Sequence, residues 1–366
     1  MGERKLTVLC AAKLHENQLE RHLELLERSE RVGRIIVVRH EPLRPRLSKL
    51  ENLSFGSGSF ARRAYKMVET VRGVVARERV DWVLGFNPVP WGSLALLGAA
   101  GTRARVALSM IGRDALQVQE LWAGPFREAL RRADAVTVTG DKMGREISSF
   151  GVRPERVHVL PHSVDLRRFR PSTASDPAPA FDVISVGQLI RRKRMDILIS
   201  AVALARDQGA PVRLGILGRG PEMAALERLT RKLAVEGLVT FLEYRDDVEV
   251  ALRGARAFAL VSEWEGVPFA LMEAMATGLV PIVTDVGTIG DWVRPGENGV
   301  IVPVRNAPAV ARAFISLFHE NLEERAEMER CLLAERERLS IESGVRVWEK
   351  IFEDAETQGR LESART

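Results

Sequence analysis

Residues 262–276 read Ser-Glu-Trp-Glu-Gly-Val-Pro-Phe-Ala-Leu-Met-Glu-Ala-Met-Ala, followed by Gly278, an apolar run and Thr284-Asp285. Ala255 to Val261, just before, is a β-type apolar run, and Phe269 to Ala276 has helical spacing and good helix formers closed by Gly278. The stretch predicts a strand, a tight turn and a helix, with Pro268 at the helix start, where its missing N–H costs nothing. Such a turn suits an anion: the N–H groups around Val267, Phe269 and Ala270 fall where a helix leaves its donors without intrahelical partners, and the helix dipole favours negative charge there. Glu265 stands in the turn and Glu273 about a helical turn further in. An arbitrary pair of glutamates is usually a solvated turn acid and a surface helix acid. Glu273, however, is set among Ala270, Leu271, Met272, Ala274 and Met275, and a carboxylate buried there needs a partner. Both carboxylates accept hydrogen bonds from hydroxyls, of which sugars are made.

Taken with Gly266, the second glutamate eight positions after the first in Glu-Ala-Met-Ala, Pro281-Ile-Val, Thr284-Asp-Val-Gly and Gly296-Glu-Asn-Gly-Val-Ile-Val-Pro303, the stretch resembles the signature of the retaining glycosyltransferases of family 4, the glycosyl transferases group 1. The resemblance covers most of residues 106–305. It implies an α/β GT-B fold: two Rossmann-like, doubly wound domains facing a cleft, with a C-terminal helix crossing back to the first domain. It also implies that Glu265 holds the donor sugar, that Glu273 holds the ribose hydroxyls, and that Gly266, Val267, Pro268, Phe269 and Ala270 line the donor.

The chain of 366 residues is long enough for two domains with a full core each, and 46% hydrophobic with 28% charged residues is the balance of a soluble globular protein. Leu6 to Ala12 reads as a first buried strand rather than a signal peptide, and Trp82 to Gly101 is too broken by Pro and Gly for a membrane span. Two cysteines far apart support neither a disulfide framework nor a zinc site, which fits a cytoplasmic protein. The net charge of +5 comes without a zinc-finger spacing, a basic-region heptad or an RNA-binding aromatic motif, so nucleic acid is not expected as a partner. A cluster of Arg44, Arg46, Lys49, Arg62, Arg63 and Lys66 admits peripheral contact with an anionic membrane surface. A solvated arginine-rich surface is the alternative.

Along the chain, Lys5 to Ala12, Glu16 to Arg28 and Arg34 to Val38 predict a β-α-β start whose first turn, Ala11-Ala12-Lys13-Leu14-His15, lacks glycine. Pro42 to Gly58 reads as a long loop. Arg105 to Ile111 predicts a strand ending at Gly112-Arg113-Asp114, and the resemblance puts Gly112 and Asp114 on the acceptor side; Ile111 stands where many members carry histidine. Pro161-His162-Ser163-Val164-Asp165 resembles the segment closing the first domain, with Asp165 read as a local backbone cap. Ser172 to Pro179 has linker composition. The expected domains are therefore residues 1–171 for the acceptor, a linker at 172–180, residues 181–340 for the nucleotide-sugar, and a helix at 341–366 on the first domain.

In the second domain, a predicted strand leads to Gly187-Gln-Leu-Ile-Arg-Arg-Lys-Arg194, a basic turn of the kind that binds ligands in open α/β folds. Lys193 matches the family's diphosphate-binding lysine, while Gln188 replaces an arginine and Arg194 a glycine; Arg191 or Arg192 is left to supply the lost charge. Gly218-Arg-Gly220-Pro-Glu resembles a turn near the nucleotide, although a lone Gly-x-Gly is weak evidence. The expectation is a hexosyltransferase with Glu265 and Lys193 as catalytic groups and Gly187, Arg192, Gly218, Gly220 and Glu273 at the donor. The donor is a UDP- or GDP-sugar, and the acceptor a saccharide or lipid-linked hydroxyl. No Asp-x-Asp motif lies near this site, so neither metal nor cofactor is expected. A nucleotide-sugar-binding protein that has lost transfer, and an epimerase or phosphorylase of the same fold, remain as alternatives.

Overall fold

The computed structural model describes residues 4–12, 14–43, 47–86, 88–111, 120–266 and 268–363. They form two compact units, Met1–Ser163 with Ile341–Thr366, and Val164–Ser340.

In the first unit, strands β1 (Leu6–Ala11), β2 (Val32–Arg39), β3 (Leu50–Ser54), β4 (Trp82–Phe86), β5 (Arg105–Ser109), β6 (Ala135–Val138) and β7 (Val157–Val159) lie parallel in the order β3-β2-β1-β4-β5-β6-β7. Helices α1 (Glu16–Arg28), α2 (Phe60–Arg77), α3 (Ser93–Ala99), α4 (Glu120–Arg132) and α5 (Asp141–Ser149) connect them. Their strands are apolar almost throughout because both faces are covered. On one face Leu9, Ile36 and Val83 pack with Met67 and Val71 of α2 and Ala95 of α3. On the other, Val8, Cys10, Ile35 and Val37 meet Leu19, Leu23 and Leu26 of α1. That second face is completed by the C-terminal helix α12 (Ile341–Ser363), whose Trp348, Ile351, Phe352 and Ala355, at i, i+3, i+4 and i+7, join the same core. Trp82 of β4 lies 5.4 Å from the Phe352 ring. Burying each such side chain contributes about 1.5–3 kcal/mol, which is why the last helix belongs to the first unit.

The second unit repeats the plan. Strands β8 (Val183–Val186), β9 (Leu214–Leu217), β10 (Val239–Leu242), β11 (Ala257–Leu260), β12 (Val280–Thr284) and β13 (Val300–Val302) are parallel in the order β10-β9-β8-β11-β12-β13. Helices α6 (Met195–Asp207), α7 (Met223–Lys232), α8 (Val248–Arg253), α9 (Phe269–Thr277), α10 (Ala307–Ile315) and α11 (Leu322–Glu335) complete it. The strand order reverses between β8 and β11. In an open α/β sheet the crevice at the carboxyl ends of those two strands is where a ligand binds.

Two expectations are corrected here. Within Pro42 to Gly58, residues 50–54 form an edge strand, β3, pairing Ile36 with Glu51 and Val38 with Leu53; with Glu51, Asn52 and Ser54 in it, the segment has little strand propensity of its own and takes its conformation from β2. The linker composition at 172–180 belongs to the second unit instead of standing between units. Asp176 accepts two bonds from Arg170, at 2.7 and 2.8 Å, and another from the Thr173 N–H at 2.8 Å, so the polar side chains are spent on folding this segment.

Candidate functional site

The helix that follows β11 is built as the sequence predicts. Pro268 is the N-cap of α9, and Gly278, with φ of 88°, ends it in a left-handed turn whose N–H donates to the Met275 carbonyl at 3.0 Å. Between these ends, Leu271 to Thr277 are all buried, Glu273 with 4% exposure among them. A helix apolar on every side belongs in an interior, and α9 packs against α8, α11, β11 and β12. Gly266, Pro268, Phe269 and Ala270 at its mouth stay half-buried. Val267 lies outside the described residues, as do Gly112 and Asp114 on the acceptor side.

Glu265 is 6% exposed. Its Oε1 accepts from Lys193 Nζ and, at 2.7 Å, from Ser262 Oγ. Two sequence-predicted residues from separate turns, after β8 and after β11, therefore meet in one ion pair whose side chains are 12% and 8% exposed. Removing one partner from such a pair strands a buried charge, at a cost of about 3–5 kcal/mol.

The neighbouring turn explains the Thr284-Asp-Val-Gly287 sequence. Thr284 Oγ1 donates to the Ser262 carbonyl at 2.6 Å. Gly287, at φ of 65°, brings its backbone so close that a Cβ there would stand 2.3 Å from the Glu265 carbonyl oxygen. Both residues hold the Glu265 turn in place.

Gly218 and Gly220 have a similar structural reason. A Cβ on Gly218 would lie 1.9 Å from the Gly187 carbonyl oxygen, and one on Gly220 would lie 2.3 Å from that of Leu189. The Gly-x-Gly after β9 therefore lets two turns pack backbone to backbone, and Gly187 N–H donates to the Leu217 carbonyl at 3.0 Å across the same contact. Beside it, the Arg219 guanidinium lies over the Tyr244 ring at 4.7 Å.

The basic turn divides its charges. Arg191 to Lys193 form one 3-10 turn, and Arg194 takes a left-handed φ of 52° at the N-cap of α6, where the related pattern has glycine. Arg194 pairs with Asp196 at 2.7 Å and Glu263 at 2.6 Å, and Asp196 first, then Glu263, raises its pKa further. Arg192 lies over the Trp264 ring at 5.1 Å. Lys193 goes to Glu265. Asp165 accepts from the Arg167 N–H at 2.9 Å and caps its own turn.

Sequence reasoning missed Ser262, Glu263, Trp264 and Thr284 as supports of the site. The first three sit inside the decisive stretch, and only their contacts distinguish them from turn residues.

The family model for glycosyl transferases group 1 matches residues 171–331, and that for glycosyltransferase family 4 matches residues 21–168. A putative colanic acid biosynthesis glycosyltransferase, WcaL, of Salmonella typhimurium is 28% identical over 66% of this chain and 63% of its own length. A D-inositol 3-phosphate glycosyltransferase of Rhodococcus erythropolis is 30% identical over 62% of this chain and 55% of its own. In each case the match spans less than two thirds of the relative. Among solved structures, Anabaena Alr3699/HepE in complex with UDP has the same fold, with a TM-score of 0.76 at 16% identity over 96% of this chain and 100% of that one.

Proposed function

This chain belongs to glycosyltransferase family 4 and has its GT-B fold, and we propose that it is a retaining enzyme that moves a hexose from a nucleotide diphosphate-sugar to a hydroxyl of a saccharide or glycolipid. The observation that carries this reading is the buried Lys193–Glu265 pair, set at the strand-order reversal of the second unit beside α9 with its buried Glu273. Breaking a sugar–phosphate bond builds positive charge at the anomeric carbon and negative charge on the departing diphosphate. Lys193 and the N-terminus of α9 stabilise the leaving group, which is electrostatic catalysis aimed at the charge that develops. The diphosphate competes with Glu265 for Lys193. The bonds from Lys193 and Ser262 both fall on Oε1 of Glu265, so Oε2 is the oxygen offered to a sugar hydroxyl, and Glu273 takes the ribose.

A UDP-sugar is the first donor to try, because the similar Anabaena fold was solved with UDP. The colanic acid biosynthesis in the Salmonella relative's name favours a growing polysaccharide, on a lipid or free, as acceptor. Basic groups replace a metal at the diphosphate, so turnover should survive chelation by EDTA. The protein would work in the cytoplasm or at the inner membrane face, with the early basic segment against anionic lipid; among the described residues no helix is long and apolar enough to cross a membrane.

The test is thermal shift against UDP, GDP and ADP and their glucose, mannose and N-acetylglucosamine conjugates, in the wild type, Glu273→Ala and Lys193→Ala. Stabilisation by one nucleotide series that both variants lose supports the site, since a ligand bound only to the folded state raises its stability. If no nucleotide shifts the wild type, the donor site is misassigned. A second reading, binding without transfer, is favoured by Arg194 being held by Asp196 and Glu263 while Gln188 stands in place of an arginine. Turnover of a radiolabelled donor separates the two.

A further inference from the structure

Glu263 has no role in the family resemblance, yet it joins three turns of this edge. Its Oε1 accepts from Arg194 Nη1 at 2.6 Å and from Arg305 Nε at 2.5 Å, and its backbone N–H donates to the Arg192 carbonyl at 2.9 Å. Arg194 stands after β8, Glu263 after β11 and Arg305 after β13. One carboxylate therefore ties together three ligand-edge turns, reaching past β12, which separates β11 from β13 in the sheet.

The backbone adds an independent observation. Arg194 and Arg305 have φ of 52° and 58°, a left-handed conformation that residues with a Cβ adopt at a cost. Both are the residues whose side chains end on Glu263. The bonds from Arg305, then Arg194, hold the Glu263 carboxyl at about 2, below the ordinary range, so it is charged wherever the protein is assayed. The cluster does little for overall stability, because Arg305 is 66% exposed and exposed ion pairs contribute little. What it controls is position. Lys193 is adjacent to Arg194, and Glu265 is two residues after Glu263.

We propose that Glu263 is a positioning residue for the transfer reaction, clamping the turns after β8, β11 and β13 so that Lys193 and Glu265 are held in register on the donor. The proposal rests on the enzyme reading above. Without the carboxylate, Arg305 loses its ion-pair partner and Arg194 keeps only Asp196 on its own turn, so the ion-pair ties between the turns are lost and the turns move apart.

The experiment compares wild type, Glu263→Ala, and Glu263→Ala with Arg194→Gly, by steady-state transfer and by amide hydrogen exchange. In Glu263→Ala, kcat should fall about tenfold or more, as expected when reacting groups are misplaced, with donor KM changed less than about threefold. Exchange should quicken at residues 190–194 and 262–266 while the melting temperature stays within a few degrees. Adding Arg194→Gly removes the guanidinium that repels Arg305 and suits the left-handed backbone, and should restore much of the lost turnover. The proposal is overturned by unchanged kcat and exchange in Glu263→Ala, or by a loss of turnover that follows a lowered melting temperature and that Arg194→Gly does not relieve. Exchange reports the clamp even in a wild type that transfers nothing, so a failed clamp and a failed enzyme reading give different results.

Discussion

The two units share one sheet plan and differ in how the described turns at the carboxyl ends of their strands are built. In the second unit the turns after β8, β9, β11 and β12 touch backbone to backbone, and Gly218, Gly220 and Gly287 stand where a Cβ would come within 2.3 Å of a carbonyl oxygen. The side chains at that edge are charged and paired across turns. In the first unit the turn after β1 has no glycine, and the helix that follows carries a buried imidazole: His22 on α1 lies edge-on to His162, ring centroids 5.3 Å apart, and 5.5 Å from Phe86. Among the described residues, the first unit has close backbone approach at β4, where a Cβ on Gly85 would lie 2.5 Å from the Gly92 Cα, while the second has it between turns at Gly218, Gly220 and Gly287. In the second unit, the places of Lys193 and Glu265 are thus fixed by turn-to-turn backbone contact as well as by their ion pair.

The comparison can be broken most forcefully in the first unit's core. Trp348→Ala should destabilise by about 3–5 kcal/mol, the usual cost of emptying a buried aromatic site, and amide exchange should quicken in α1, β1 and α12. If protection there is unchanged, α12 is not part of that core.

Next is Gly218→Ala, expected to cost about 3 kcal/mol or more because the new methyl must push two turns apart. Urea unfolding should show the loss, and nucleotide-induced stabilisation should vanish with it. A neutral result would mean that the second unit's edge is not built on close backbone contact.

Acid should separate the units as well. Burial first, then Arg21, lowers the His22 pKa to about 4, below its unfolded value of about 6.5. Stability from this group is complete above pH 6.5, where both states are neutral. It is lost as pH falls toward about 4, because the unfolded chain takes up the proton first, and the loss is of order 2–3 kcal/mol. His22→Leu should flatten the slope of urea stability over that window. Burial also lowers the pKa of His158 in the same unit, so exchange should quicken in the first unit ahead of the second.

The smallest effect is the control. Gly101 has a φ of 78°, and a Cβ added there would meet nothing within 4 Å. It should tolerate alanine at a cost of about 1–2 kcal/mol from the left-handed backbone alone. Denaturant midpoints for Gly101→Ala and Gly218→Ala then divide conformational strain from steric exclusion.

Much of this molecule was legible from its residues in order. Helix α1 at Glu16–Arg28 and helix α9 at Phe269–Thr277 follow from apolar spacing and terminal residues. The burial of Glu273 follows from its apolar neighbours, and the pairing of strand with helix in both halves follows from alternating patterns. Edge strand β3 was not legible, because its hydrogen bonds to β2 rather than its own side chains make it a strand. The part played by the segment at 172–180 was hidden for a related reason: its composition is that of a linker, and only contacts such as Asp176 with Arg253 at 3.4 Å place it in the second unit.

By itself the sequence determined which segments are strands and helices, that there are two doubly wound halves, and which turns carry cations, glycines and carboxylates, since these depend on neighbours a few residues away. The tertiary structure alone decided that Lys193 meets Glu265, that Arg194 is held by Glu263 and Asp196, and that Gly218 serves packing against Gly187. Most of those contacts join residues tens of positions apart, and their geometry is set by strand order and register, which bring the carboxyl ends of non-consecutive strands side by side.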